Sequence, residues 1–142
     1  MKKAAYSFLI LAVLTILSGC GNYTLSSTPS APNTVIRVTV TYSSTQEHFH
    51  REYVSSNKMR AVLNYLRWVD PYGKPETDPD TARGGLFRII LHLSDGTQTV
   101  YLQRSDQFMQ VNGGPWLTID PDRAKTLHQI VAEMESDSIS SP

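Results

Sequence analysis

Residues 86–103 read LFRIILHLSDGTQTVYLQ, and this stretch decides the fold of the chain. From Leu86 to Leu93 the pattern alternates, so that Phe87 and every second residue after it fall on one face, as in a half-buried strand. Asp95-Gly96 favours a two-residue hairpin turn, because both central residues of a type I′ turn take positive φ. Residues 97–103 then supply the return strand, which predicts an antiparallel hairpin at the centre of a sheet.

Further strands are predicted on both sides of this hairpin. Residues 35–42, VIRVTVTY, are rich in β-branched side chains and alternate in polarity, with an expected core face of Ile36, Val38, Val40 and Tyr42. A weaker strand follows from His48 to Val54, with two aromatic residues on its core side, Phe49 and Tyr53. After the hairpin, residues 108–111 and 116–119 continue the antiparallel meander.

Two amphipathic helices complete the predicted fold. The first has apolar residues at helical spacing, Met59, Val62, Leu63, Leu66 and Val69. Residues 55–57 are candidates for its N-cap, and Asp70-Pro71 ends it because the residue before proline is disfavoured in a helix. A second helix begins at Pro121, after Asp120 as N-cap, with its buried stripe ending at Met134. The order ββαββββα indicates an α+β domain, in which an antiparallel sheet of about five or six strands carries both helices on one face.

The N-terminus resembles the signal peptide and lipobox of bacterial lipoproteins. Lys2 and Lys3 precede an apolar run, residues 4–17, which leads into Leu17-Ser18-Gly19-Cys20. The apolar run is shorter than the roughly 20 residues that a transmembrane helix needs. The resemblance implies cleavage before Cys20, a diacylglyceryl group on its thiol, and a membrane-anchored protein on the extracytoplasmic face of the cell membrane. Since the next residue is Gly21 rather than aspartate, the outer membrane is the expected location if the host is Gram-negative.

The chain therefore divides into four segments. Residues 1–19 are the signal peptide, and residues 20–34 are the lipidated cysteine and a flexible Ser/Thr/Pro-rich tether. Residues 35–135 form one α+β domain, and residues 136–142 are expected to be a disordered tail. The signal contains two of the thirteen Lys and Arg and none of the thirteen Asp and Glu, so the mature chain is slightly acidic, which argues against a nucleic-acid partner. Cys20 is the single cysteine, so no disulfide is expected.

Three stretches of the mature chain, KMRAVLNYLRWVDPYGKPETDP, FRIILHLSDGTQTVYL and GGPWLTID, are similar to a group of small exported lipoproteins of Gram-positive anaerobes. The similarity spans residues 58–131. It implies an extracytoplasmic setting, and it supplies no catalytic residues, because no activity is assigned to the group.

His48, His50 and Glu52 are candidate metal ligands. They alternate along one strand face, about 6.5 to 7 Å apart, and two such groups with a third ligand from elsewhere would suit zinc. The alternative is that they form the solvated face of an edge strand, and that no metal is bound. The acidic loop 76–80, ETDPD, offers oxygen atoms for calcium but lacks the ligand periodicity of a calcium loop.

Aromatic residues at loop edges are the candidates for contact with a partner; the alternative is that they pack in the core or against the helix ends. Trp68 lies off the apolar stripe of the first helix, Tyr72 follows in the proline-rich loop, and Trp116 follows a turn. The chain has no GxSxG or HExxH motif, so we expect a non-catalytic binding or accessory module without a cofactor. Its expected partners are the membrane, through Cys20, and an envelope protein, peptide or glycan. The alternative function is a small metal-handling or hydrolytic envelope lipoprotein.

Overall fold

The computed structural model describes residues 34–137, which form an α+β domain with a six-stranded antiparallel sheet. The strands are β1 (Val35–Ser43), β2 (His48–Tyr53), β3 (Leu86–Leu93), β4 (Gln98–Arg104), β5 (Phe108–Val111) and β6 (Leu117–Thr118). The helices are α1 (Ser56–Val69), α2 (Pro121–Ala124) and α3 (Thr126–Glu133), with a short 3-10 turn at Pro79–Thr81. The predicted α+β class and antiparallel sheet are confirmed.

The predicted last helix is divided into α2 and α3. Thr126 Oγ1 donates to the Arg123 carbonyl at 2.7 Å, and such a side-chain bond competes with the regular helical pattern. The predicted start is confirmed, because Asp120 Oδ1 accepts the backbone N–H groups of Asp122 and Arg123 at 2.9 and 3.2 Å. The order ββαββββα thus holds with one interruption, at Lys125.

Strand β1 lies inside the sheet, in the order β2-β1-β3-β4-β5-β6, and pairs antiparallel with both β2 and β3. Its residues Val38 and Val40 have no exposed surface, and Ile89 opposite Val40 has none either. Ile36 was predicted to share this buried face, but it is 54% exposed. A register shift between Val35 and Arg37 explains the error, because a β-bulge moves the residues before it to the other face.

The hairpin of β3 and β4 is confirmed, but its turn differs from the prediction. Leu93 N donates to the Thr97 carbonyl at 3.0 Å, which leaves a three-residue loop, and Gly96 takes positive φ while Asp95 does not. This is the geometry of a type I turn followed by a left-handed residue. The next hairpin, from β4 to β5, has positive φ at both Ser105 and Asp106.

A buried amide links the sheet to the helices. Gln103 of β4 has no exposed surface, and its Oε1 accepts a hydrogen bond from the Tyr65 hydroxyl of α1. Its Nε2 donates to the Ala124 carbonyl at 3.4 Å and to Asp106 Oδ1 at 3.2 Å. Burial raises the pKa of Tyr65 far above its ordinary value, so the phenol stays protonated and keeps donating.

The C-terminal segment docks beside β2, the edge strand. Asp137 N donates to the Glu52 carbonyl at 2.9 Å, and Tyr53 donates its hydroxyl to the Met134 carbonyl at 3.1 Å. The prediction of a disordered tail from residue 136 is therefore wrong for Ser136 and Asp137, whose polar side chains find partners on the domain; residues 138–142 lie outside the described range.

Asp137 closes the N-terminal end of α1. Its Oδ2 accepts the backbone N–H groups of Val54 and Ser55 at 2.8 and 2.7 Å, and its Oδ1 lies 2.7 Å from Lys58 Nζ. Ser55 is the N-cap residue, as the sequence predicted, yet its hydroxyl donates to Asp137 instead of capping the helix itself. The hydrogen bond from Lys58, followed by those from Ser55 and Val54, holds the pKa of Asp137 well below its ordinary value.

We predict that Asp137→Asn lowers the urea midpoint of unfolding at pH 7. Because the pKa of Asp137 is lowered on folding, the stabilisation is complete above the ordinary carboxyl pKa, near pH 4, and is lost as the pH falls through the lowered value. The difference between the wild type and the variant should therefore be constant from pH 7 to 5 and shrink below about pH 4. Glu135→Gln is the matched control, because Lys58 bonds to the backbone carbonyl of Glu135 and not to its side-chain carboxylate. Equal midpoints of wild type and Asp137→Asn at pH 7 would contradict the assignment.

Candidate binding surfaces

Cys20, the predicted lipidation site, lies outside the described residues. Within residues 34–137, no helix combines the length and apolar character needed to cross a bilayer.

The three candidate metal ligands do lie on one side of β2, at the edge of the sheet. His50 Nε2 is 3.6 Å from Glu52 Oε1, and the His50 side chain is 59% exposed. The residues of β1 opposite these three side chains add no imidazole or carboxylate. They are Thr41 opposite His50, Thr39 opposite Glu52, and Ser43 opposite His48. In the part of the chain that the structure describes, no three His, Cys, Asp or Glu side chains are grouped closely enough to hold a metal ion.

His92 is engaged by its neighbours on the sheet. Its Nε2 lies 3.0 Å from Thr39 Oγ1, and its Nδ1 lies 3.3 Å from an Arg37 nitrogen. Burial, and next the charge of Arg37, lower the pKa of His92, so the ring is neutral at physiological pH. Its role here is to join β1 to β3.

Trp68 is exposed but held in place. The side chain is 50% exposed at the last turn of α1, and the Arg123 guanidinium lies over its ring, 5.5 Å from the centroid. The same arginine donates to the Trp68 carbonyl at 2.9 Å, so one side chain both closes the C-terminal end of α1 and orients the indole.

The other two aromatic candidates have contacts of their own. Tyr72 is 57% exposed, and its backbone forms an isolated antiparallel bridge with Thr118, with both hydrogen bonds at 2.9 Å. Trp116 is half-buried, and the Arg104 guanidinium lies 6.0 Å from its ring centroid. Arg104 projects from β4 on the side opposite to its neighbour Gln103, since side chains alternate along a strand. Trp68 and Trp116 therefore do not form one patch.

A groove beside Trp68 was missed by the sequence argument. It has a volume of about 500 Å³ and lies between α1 and α3, lined by Ala61, Asn64, Tyr65, Trp68, Thr126 and Ile130. The helical spacing of Ala61, Asn64 and Trp68 was the available signal in the sequence, but the facing residues come from a segment more than fifty positions later.

A second groove, of about 540 Å³, lies at the C-terminal end of β1 and is lined by Tyr42, Ser44, Thr45, Gln46, Arg83, Gly84 and Gly85. Tyr42 packs here against Phe49, Phe87 and His128, with ring centroids 4.5 to 5.4 Å away. A Cβ at position 85 would collide with the Tyr42 ring, so glycine is needed for this close approach. The paired glycines 84 and 85 were the sequence signal of this packing.

Comparisons with protein-family models, with curated proteins and with solved structures find no match for this chain. The similarity of residues 58–131 to exported lipoproteins of Gram-positive anaerobes stays a prediction. The assignment of a function rests on the residues of the chain itself.

We predict that zinc leaves the melting temperature of the wild-type chain unchanged, because only a ligand that prefers the folded state raises it. Replacing His48 and His50 together by threonine keeps strand propensity and should change the free energy of unfolding by no more than about 0.5 kcal/mol, as at other surface positions. Thermal unfolding with and without micromolar zinc makes the comparison. A rise of several degrees in the wild type that is absent from His48→Thr/His50→Thr would establish a metal site.

Proposed function

We propose that this chain is a lipid-anchored extracytoplasmic protein whose domain is a non-catalytic binding or accessory module. The single observation that carries the anchor is Leu17-Ser18-Gly19-Cys20, placed after a short apolar run that begins close behind two lysines. In this proposal residues 1–19 are removed, Cys20 becomes the acylated N-terminus, and the tether through residue 34 leads to β1. The protein then resides on the outer face of the cell membrane.

We further propose that the helices cover one face of the sheet and leave the other to solvent or a partner. The support is the buried amide of Gln103, which contacts both Tyr65 of α1 and Ala124 of α2. The first and last helices also share one hydrophobic core. It contains Val62 of α1 and Leu127 and Val131 of α3, none of which is exposed.

The binding role is supported by aromatic side chains that are exposed and yet positioned. Trp68 and Tyr72 each have about half of their surface free. Arg123 lies over the Trp68 ring, and the backbone of Tyr72 is held by its bridge to Thr118. Fixed aromatic residues lose little conformational entropy on contact, which favours recognition of a protein, peptide or glycan. Trp116 is a separate candidate contact, beside Arg104.

If Cys20 is the lipidation site, the Cys20→Ser variant should lose both its lipid label and its place in the membrane fraction. Because the thiol is the acceptor of the lipid, the variant should incorporate no labelled fatty acid and should leave the mature membrane fraction, appearing as the uncleaved precursor. Ser18→Ala is the matched control, since it keeps a small residue before the cleavage point and should be labelled like the wild type. Acyl labelling of Cys20→Ser at the wild-type level would exclude Cys20 as the lipidation site.

A further inference from the structure

Helix α1 carries a stripe of exposed residues without a carboxylate. The α1 stripe consists of Arg60, Asn64, Arg67 and Trp68, which lie on one side of the helix because they are spaced by about one or two turns. Within residues 34–137, neither Arg60 nor Arg67 forms a hydrogen bond or an ion pair; Lys58, by contrast, is paired with Asp137. The two guanidinium groups of the stripe are thus available to an anionic partner.

The chain enters the domain next to this stripe. Val35, the first residue of β1, lines a groove of about 310 Å³ together with Arg60, Leu63, Arg67 and three other residues of the same helix. The following residue, Ile36, is an exposed apolar side chain, 54% accessible. We call this region, where Val35, Ile36 and the α1 stripe meet, the tether end of the domain.

The length of the tether keeps the tether end close to the lipid. Residues 21–33 separate Cys20 from the first described residue, and they span at most about 45 Å when fully extended. As the flexible tether predicted from the sequence, a chain of this length would be much shorter on average, so the proposed anchor would hold the domain near the surface at a high effective concentration, where weak contacts suffice for docking.

We propose that the α1 stripe docks on the anionic phospholipid headgroups of the membrane that holds Cys20. The proposal rests on the lipid anchor proposed above. Arg60 and Arg67 match phosphate through their planar guanidinium groups, and exposed tryptophan is favoured at the membrane interface. Attraction to an anionic surface acts within about a Debye length, roughly 8 Å at physiological salt, which the tether allows the stripe to reach.

The opposite end of the domain provides a matched control. Arg83 lines the groove at Ser44–Gln46, and Arg88 pairs with Thr41 near the end of β1. Thr41 is six positions and Ser44 nine positions after Val35, so the two arginines lie about 20 to 30 Å along the strand from the tether end. Arg83 and Arg88 are exposed like Arg60 and Arg67, so replacing them removes the same charge without touching the stripe.

Fluorescence of Trp68 tests the proposal directly. The mature chain, residues 20–142, carries Trp116→Phe so that Trp68 is the only tryptophan, and its single thiol, Cys20, is coupled to a maleimide lipid. The vesicles contain brominated phosphatidylcholine, with or without phosphatidylglycerol. We expect Trp68 to be quenched more strongly when phosphatidylglycerol is present, and 0.5 M salt should remove the difference.

Two double variants test whether the arginines of the α1 stripe cause the docking. Each arginine near an anionic surface contributes about fivefold to the docking equilibrium, so Arg60→Gln/Arg67→Gln should lower the docked-to-undocked ratio by about 25-fold. Arg83→Gln/Arg88→Gln should leave the ratio unchanged. Quenching that is absent, independent of phosphatidylglycerol, or lowered equally by both double variants would overturn the proposal. Because the lipid is attached chemically, this outcome does not depend on whether cells lipidate Cys20, which the labelling experiment decides separately.

Discussion

The hydrogen bond between Tyr65 and Gln103 is the contact on which the rest of this domain depends. A fully buried amide is costly unless its polar atoms are paired, and Gln103 finds partners in Tyr65, Ala124 and Asp106. This requirement fixes α1 and the start of the C-terminal helices over β4 in one arrangement. Asp137 fixes the beginning of α1, and Arg123 fixes its end. The helix is therefore held at three points along its length.

Because α1 is fixed in one orientation, the side chains on its outer face are exposed to solvent. The apolar stripe with Val62, Tyr65 and Val69 is buried, so the remaining face of the helix, with Arg60 and Arg67, is turned outward. Val35, the first residue of β1, lies on this side of the domain. A surface that is poor in carboxylates and close to the attachment point is suited to contact with an anionic membrane. The opposite end of β1 is then left free for a partner.

Much of the fold followed from local sequence patterns. The alternation in residues 86–93 is typical of a strand with one buried face, and the spacing from Met59 to Val69 is typical of a helix with one buried face. The parts that were missed depend on contacts between distant residues. The bulge that exposes Ile36 is set by the pairing of β1 with β3, and Asp137 gains its role from residues about eighty positions earlier. For the sites, the shared face of His48, His50 and Glu52 was predictable from strand periodicity, whereas the separation of Trp68 from Trp116 required the sheet order.

In the proposed arrangement, the tether end of the domain faces the membrane. Paramagnetic broadening of backbone amide signals by a lipid-borne nitroxide, with the mature chain attached through Cys20 to phosphatidylglycerol-containing nanodiscs, measures this orientation residue by residue. We expect strong broadening at Ile36, Arg60, Asn64 and Arg67, and little at residues 44–47 at the far end of β1. Uniform broadening of both ends, or stronger broadening at residues 44–47, would contradict it.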